Sequence, residues 1–395
     1  MKKVCLIVVL MIQFTVFISF GNEINNEDGI VSMESIIYEQ MENMDIKDIE
    51  NMIDIVNENY DDILPRMSLK KMVSEMVKGK AIFDYKEIIN NLMKYFLHEI
   101  YVNINFAFQI LVIVIIIGLL KNTSNSFGES TVSNLGQLIC YSAAVALCIG
   151  NFRYAYTIGS ETINSMIGFM QAVFPLIITL LISLGNIASG SLYYPLILAS
   201  INIVSSLTQT IVLPAVFLSA IFFLVNSMTE NSYIKKLASI VRQFAVIFMG
   251  FTVTILSGIT AIQGIVTSSA DGVLVKTAKF SVDKFIPIIG SYISDSVDLI
   301  LSCSALIKNA LGAIGLLVII LIILMPVLKL LSIAIIYKGL SILVEPLGIK
   351  NVSDGLNEMG NTIIILISVL LLVALMFLIM ITILIKTGNS AIISR

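Results

Sequence analysis

The chain has 395 residues and a net charge of −3, and it is 57% hydrophobic and only 13% charged. Soluble domains are about 25% charged, so this composition excludes an ordinary soluble enzyme. Its apolar residues form runs of about 20, the length that a helix needs to cross a bilayer. The sequence therefore predicts an all-α, polytopic membrane protein.

Residues 1–21 have the three parts of a secretory signal peptide. A lysine pair follows the first methionine, an apolar core spans residues 4–20, and Ser19 and Gly21 are small residues at a cleavage position. We expect cleavage after Gly21, with an uncleaved first membrane helix as the alternative. Either way, the chain that follows begins outside the cytoplasm.

Residues 22–103 form an acidic segment that we predict to be extracytoplasmic and helical. Between residues 22 and 100 it holds 17 acidic and 8 basic side chains, a net charge of −9. Apolar residues recur there every three or four positions, which predicts three short amphipathic helices. The three stripes are Ile46, Ile49, Ile53, Val56 and Tyr60; Leu69, Met72, Val73, Met76 and Val77; and Ile88, Ile89, Leu92, Met93 and Phe96. Two uses remain open for these stripes, namely packing into a helical cap and docking of a partner.

Residues 104–395 form the predicted membrane domain, in which we find eight apolar runs. They cover residues 104–120, 135–151, 166–184, 192–210, 211–228, 243–266, 311–331 and 361–385. The fourth and fifth runs meet near Pro214 and fit one kinked hairpin. Basic residues between the runs, with Arg242, Lys329 and Lys338 among those placed inside, divide equally between the two sides. The positive-inside rule therefore leaves the orientation open.

Several of these runs carry polar side chains. The fourth contains Asn202, Ser205 and Gln209, and Glu161 and Asn164 precede the third. Such groups form hydrogen bonds between closely packed helices, or they line a hydrated path. Both interpretations remain open.

The segment 270–310 is too polar for an ordinary span and too apolar for an exposed loop. Pro287 and Gly290 interrupt it, which predicts a broken pair of amphipathic helices in the interface or re-entering the bilayer. Charges three residues apart share a helix face, as Lys276 does with Lys279 and Asp295 with Asp298. These charges would pair with each other or face a path or a neighbouring subunit. A plain surface linker is the alternative.

The sequence contains no recognisable catalytic motif. GxSxG, HExxH and Walker A patterns are absent, and the four cysteines match no metal or redox spacing. We therefore expect no enzyme activity, cofactor or metal. Energy for any transport would come from a partner.

Four short segments, in their order and spacing, resemble the stage III sporulation protein AE family of endospore-forming bacteria. They are Lys276-Thr277-Ala278-Lys279-Phe280; the run from Phe285 through Pro287 to Gly290, with Asp295 and Asp298; Lys308-Asn309-Ala310-Leu311-Gly312-Ala313-Ile314-Gly315; and Glu345-Pro346-Leu347-Gly348. The resemblance extends over essentially the whole chain. It makes the charged, glycine and proline residues of these segments, together with Phe280 and Asn309, our candidates for interaction or path lining.

The resemblance implies a membrane subunit of the channel between mother cell and forespore, a secretion-like complex required for endospore development. Implied partners are a cytoplasmic ATPase, ring-forming and membrane subunits and a forespore-side protein, without nucleic acid. The implied location is the mother-cell membrane around the forespore, with the acidic segment facing the intermembrane space. From the residues alone, a small-solute permease is the alternative. A permease would show inverted repeats with paired broken helices, and the sequence has one broken region.

Overall fold

The chain folds into long helices packed side by side. A computed structural model describes residues 46–60, 66, 68–77, 85–127, 131–227, 234–285 and 290–393, and all regular structure in these ranges is helical. The helices are α1 (Lys47–Tyr60), α2 (Leu69–Val77), α3 (Tyr85–Val102), α4 (Ile104–Phe127), α5 (Thr131–Ser183), α6 (Ile187–Leu207), α7 (Leu213–Ser227), α8 (Lys235–Phe285), α9 (Gly290–Val344) and α10 (Lys350–Ile393). The predicted all-α fold is confirmed, whereas the predicted signal peptide lies outside the described residues.

Six helical segments in the described ranges are long and apolar enough to cross a membrane. They are Ile88–Asn122, Leu135–Ser183, Ser189–Ser227, Lys235–Thr260, Ser302–Leu347 and Lys350–Lys386. The eight apolar runs found in the sequence are thus distributed over six segments.

The two numbers differ because a drop in hydropathy suggests a loop between two apolar runs, whereas the chain remains helical there. The second and third runs lie on one helix, α5, because Phe152, Ala155 and Ile163 continue its buried face through the more polar stretch. The fourth and fifth runs are joined by a turn of π-helix, Thr208–Val212, and do not form a hairpin. One extra residue per turn widens a helix without ending it.

The hairpin of α9 and α10 forms the centre of the bundle. In each of these helices, 67% of the most apolar stretch is buried inside the chain, against 28% in Ile88–Asn122 and 22% in Lys235–Thr260. The chain therefore shields its most apolar helices with its own α4, α5 and α8. Lipid-facing surface belongs mainly to the outer helices.

The acidic segment uses its first two apolar stripes within the chain itself. Ile49 and Ile53 of α1 and Leu69 and Met72 of α2 are all 2% exposed or less. Helix α1 packs against α5, and α2 packs against α9. These two stripes therefore pack against the long helices of the bundle, and not mainly against each other as in a separate cap.

Candidate functional site

The Glu345-Pro346-Leu347-Gly348 segment is the turn that joins α9 to α10. Glu345–Leu347 form one 3-10 turn, and Gly348 then adopts a left-handed conformation with φ of 73°. Only glycine takes that conformation without strain, so Gly348 sets the reversal of the chain. The Nζ of Lys121 donates to the Gly348 carbonyl oxygen at 3.3 Å. These candidate residues thus position the central hairpin.

The Lys308-to-Gly315 segment forms the contact face at the other end of the hairpin. Lys308, Gly312 and Gly315 are spaced so that they lie on one face of α9. A side chain at Gly312 would collide with Ile385 of α10, and at Gly315 an added Cβ would lie 3.4 Å from Ile381. The two glycines therefore let the helices approach closely.

Lys308 is the most unusual residue of this face because its side chain is fully buried. Its Nζ donates to the backbone carbonyl of Ile385 at 2.9 Å. The neighbouring Asn309 buries its Oδ1, which has no hydrogen-bond partner in the described part of the chain. A charged side chain buried in an apolar bundle is costly unless it is hydrogen-bonded, as Lys308 is here.

A charged cluster lies where α8, α9 and α10 meet, and we take it as the candidate functional site. Arg242 of α8 forms an ion pair with Glu358 of α10, with Nη1 and Oε2 at 2.6 Å and each side chain 17% exposed. The Arg242 guanidinium also lies 4.6 Å from the centre of the Phe223 ring. The α7, α8 and α10 helices are therefore tied together by one arginine.

Lys338 of α9 extends this cluster. Its Nζ donates to the Oδ1 of Asn361 at 2.7 Å and to that of Asn357 at 3.4 Å. A Cβ at Gly360 would lie 2.9 Å from the Lys338 Cγ, so the glycine makes room for the lysine stem. Arg242 is thus paired with a carboxylate, and the Lys338 ammonium is hydrogen-bonded by two amides, which lowers the cost of placing these charges in an apolar bundle.

The sequence pattern places Arg242, Lys329 and Lys338 outside the apolar runs, on the cytoplasmic side. In the structure all three lie within long helices. The missed partner is Glu358. The available signal was the helical spacing of Asn357 and Asn361, four residues apart and just before the last apolar run.

A second ionic contact joins the acidic segment to the central hairpin. The Nζ of Lys329 on α9 lies 3.6 Å from the Oε1 of Glu99 on α3. The same Nζ lies 5.4 Å from the centre of the Tyr154 ring on α5. Helices α3, α5 and α9 therefore meet at Lys329.

Amide side chains form a row between α5 and α6. Gln209 of the π-turn donates to Asn164, and Gln171 donates to Asn202 at 3.4 Å. Asn164, Gln171 and Asn202 are exposed on the surface of the chain. Of the two interpretations of the polar spans, helix-to-helix hydrogen bonding is therefore observed here.

The remaining candidates flank the junction between α8 and α9. Lys276, Lys279 and Phe280 lie on the last turns of α8, Gly290 begins α9, and Asp295 and Asp298 follow on its first turns. Pro287 and the side chains of this region lie outside the described residues, so the predicted pairing of the charges stays a prediction. Among the described residues, no group of three or more His, Cys, Asp or Glu side chains could hold a metal.

Two comparisons with known proteins agree with the four sequence segments. The profile of the stage III sporulation protein AE family matches residues 67–388. Stage III sporulation protein AE of Bacillus subtilis (strain 168) is 31% identical over 369 residues, which cover 93% of this chain and 92% of that protein. No solved structure matches the chain.

Proposed function

The chain belongs to the stage III sporulation protein AE family, and we propose that it is a membrane subunit of the mother-cell-to-forespore channel. In this role it contributes helices and contacts, without chemistry on a substrate, and its partners supply the energy. Family membership supports the sporulation context, and the six apolar segments fit a multi-pass membrane protein.

One observation supports assembly into a complex. Helix α3 presents an apolar ridge to the outside, formed by Ile89, Met93, Leu97 and Tyr101, all at least 57% exposed. These residues are four apart and so lie on one face of the helix. Unlike the stripes of α1 and α2, this ridge is not covered by the described part of the chain. We assign it to a partner subunit of the channel.

The test introduces the same charge on and beside the ridge. Ile89→Asp places a carboxylate on the ridge, and Asn90→Asp places one at the next position, which is also exposed. We expect Ile89→Asp to reduce co-purification of other sporulation membrane proteins at least about tenfold, because burying an unpaired charge is costly. Asn90→Asp should leave recovery unchanged. Equal recovery with both variants would contradict partner binding through the ridge.

A small-solute permease is the second candidate function. The π-turn at Thr208–Val212 favours it, because it interrupts a candidate span and carries Thr208, Gln209 and Thr210. Interrupted helices form the substrate sites of many transporters. Purified full-length protein in liposomes separates the two functions. Solute flux without partners would favour the permease, and its absence the channel subunit.

A further inference from the structure

Charged residues lie at two different heights of the bundle, and we call each group a ring. The first lies at the α9–α10 turn, where Lys121 contacts Gly348 and Lys350 begins α10. Lys235 belongs to the same end, because its backbone N–H donates to Asn226 at the end of α7, at 3.1 Å, and the adjacent Ser227 lies against Gly355 near the start of α10. This lysine-rich end has the character of a cytoplasmic face.

The second ring lies where Glu99, Lys329 and Tyr154 meet. Exposed Arg153 and His98 stand beside these residues on α5 and α3. Lys329 and Gly348 are 19 positions apart along almost continuous helix. At 1.5 Å per residue the two rings are about 28 Å apart, which matches the hydrocarbon core of a bilayer, about 30 Å.

Between the rings, the outward surface is mainly apolar. On α4 it consists of Ile104, Phe108, Val112, Ile115, Ile116 and Leu119, and on α8 of Leu237, Ile240, Phe244, Ile247 and Phe251, all exposed. Charged and aromatic residues at both edges of an apolar belt are what a bilayer requires of a membrane protein.

The helices extend far beyond the second ring. Helix α5 continues from Tyr154 to Ser183, about 44 Å of further helix. Its outward surface there carries Glu161, Asn164, Ser165 and Gln171. A carboxylate and amides on this surface would be costly in lipid.

The acidic segment belongs to the same far half. The backbone remains hydrogen-bonded from Glu99 through Asn103 to Ala107, so α3 continues the line of α4 past the second ring. Lys94 and His98 of α3 are exposed there. Ile177 and Ile314 of the far half are 1% exposed or less, whereas Ile187, Leu192 and Ile203 on α6 are 45–57% exposed. The outward surface of the far half is therefore a mixture of polar and apolar side chains, unlike the mainly apolar belt.

We propose that lipid surrounds only the half of the bundle between the two rings, and that the other half stands in water on the extracytoplasmic side. The acyl chains of the bilayer occupy the apolar belt of α4 and α8. The acidic helices and the Asn164–Gln171 row then project above the membrane surface. This placement follows from the charge pattern and helix lengths and does not depend on the channel role.

Cysteine labelling tests the placement directly. Ser165→Cys and Ser183→Cys report on the far half, whereas Ser142→Cys and Ala146→Cys report on the belt, and all four positions are exposed on α5. Each is placed in the full chain with its four native cysteines replaced, and expressed in bacteria that lack sporulation proteins. A membrane-impermeant maleimide is then added to protoplasts, and labelling in denaturant gives the total thiol.

Maleimides react with the thiolate, which forms in water and not among acyl chains, so Ser165→Cys and Ser183→Cys should react at least about tenfold faster than the belt cysteines. Protection of Ser165→Cys and Ser183→Cys equal to that of Ser142→Cys and Ala146→Cys would overturn the proposal. It would place the far half in lipid. Because the host has no channel partners, this result would leave the proposed function untouched.

Discussion

At the scale of single residues, glycines and an ion pair hold α10 against α9 and α8. Gly312 and Gly360 leave space for Ile385 and Lys338 at two contacts of α9 with α10. Arg242 and Glu358 join α8 to α10. A substitution at each of these contacts should lower the stability of the protein by a measurable amount.

Gly312→Ala should destabilise the central hairpin. The added methyl group collides with Ile385, and overpacking a core of this kind costs about 1–3 kcal/mol. Gly339→Ala is the matched control on α9, because an added Cβ meets nothing within 4 Å there. Thermal unfolding in detergent should show a lower midpoint for Gly312→Ala alone. Equal unfolding midpoints of the two variants would mean that Ile385 moves aside for the added methyl group without loss of stability.

The Arg242–Glu358 pair should behave as one unit. Removing one partner of a buried ion pair leaves the other charge uncompensated and costs about 3–5 kcal/mol. We therefore expect Glu358→Leu to destabilise the protein strongly and the double change Arg242→Leu, Glu358→Leu to recover part of the loss. A double-mutant cycle of unfolding midpoints measures the coupling. Additive effects of the two changes would show that the residues act independently.

At the scale of elements, the short acidic helices are parts of the fold. Helix α1 turns Ile53, 1% exposed, inward and Ile55, 49% exposed, outward. Ile53→Asp should release α1 from the bundle, because a buried unpaired charge costs several kcal/mol. Ile55→Asp should leave α1 in place. Limited proteolysis followed by mass spectrometry tests this, and equal cleavage of both variants between residues 46 and 77 would refute the packing.

For the junction of α8 and α9, the pairing of the basic and acidic helix faces stays a prediction from the sequence. If the basic and acidic faces are held in place, Lys279→Glu impairs sporulation, and adding Asp295→Lys partly restores it if the faces pair. Counts of heat-resistant spores from both single variants and from the double variant test this. Normal counts from Lys279→Glu and from Asp295→Lys alone would support the surface-linker alternative.

The sequence predicts that the elements are helices, but it does not predict where one helix continues through a more polar stretch. Hydropathy alone reads the stretch around Arg153 and Glu161 as a loop, whereas Phe152, Ala155 and Ile163 on one face keep it helical through packing. The same limit hid the charged cluster. Arg242 and Glu358 are 116 residues apart and meet only when α8 packs against α10, and Lys338 meets Asn361 only when α9 and α10 form their hairpin.

At the scale of the whole molecule, the chain is a bundle whose most apolar hairpin is enclosed by its own outer helices. Such an arrangement suits a subunit that holds a fixed shape within an assembly. Two of the segments that carry the resemblance lie at structurally constrained places, because Lys308-to-Gly315 includes a close contact of the hairpin and Glu345-to-Gly348 forms its turn. The exposed ridge of α3 is the proposed contact surface of the channel subunit.

The central claim is that this chain serves the mother-cell-to-forespore channel, and deletion of its gene in the native host tests it most directly. Heat-resistant spores and a forespore reporter gene would be measured after engulfment, with the full chain restored at another locus as the control. We expect spore counts to fall by several orders of magnitude and late reporter expression to stop, while vegetative growth remains normal. Unchanged spore counts and reporter expression would contradict the account.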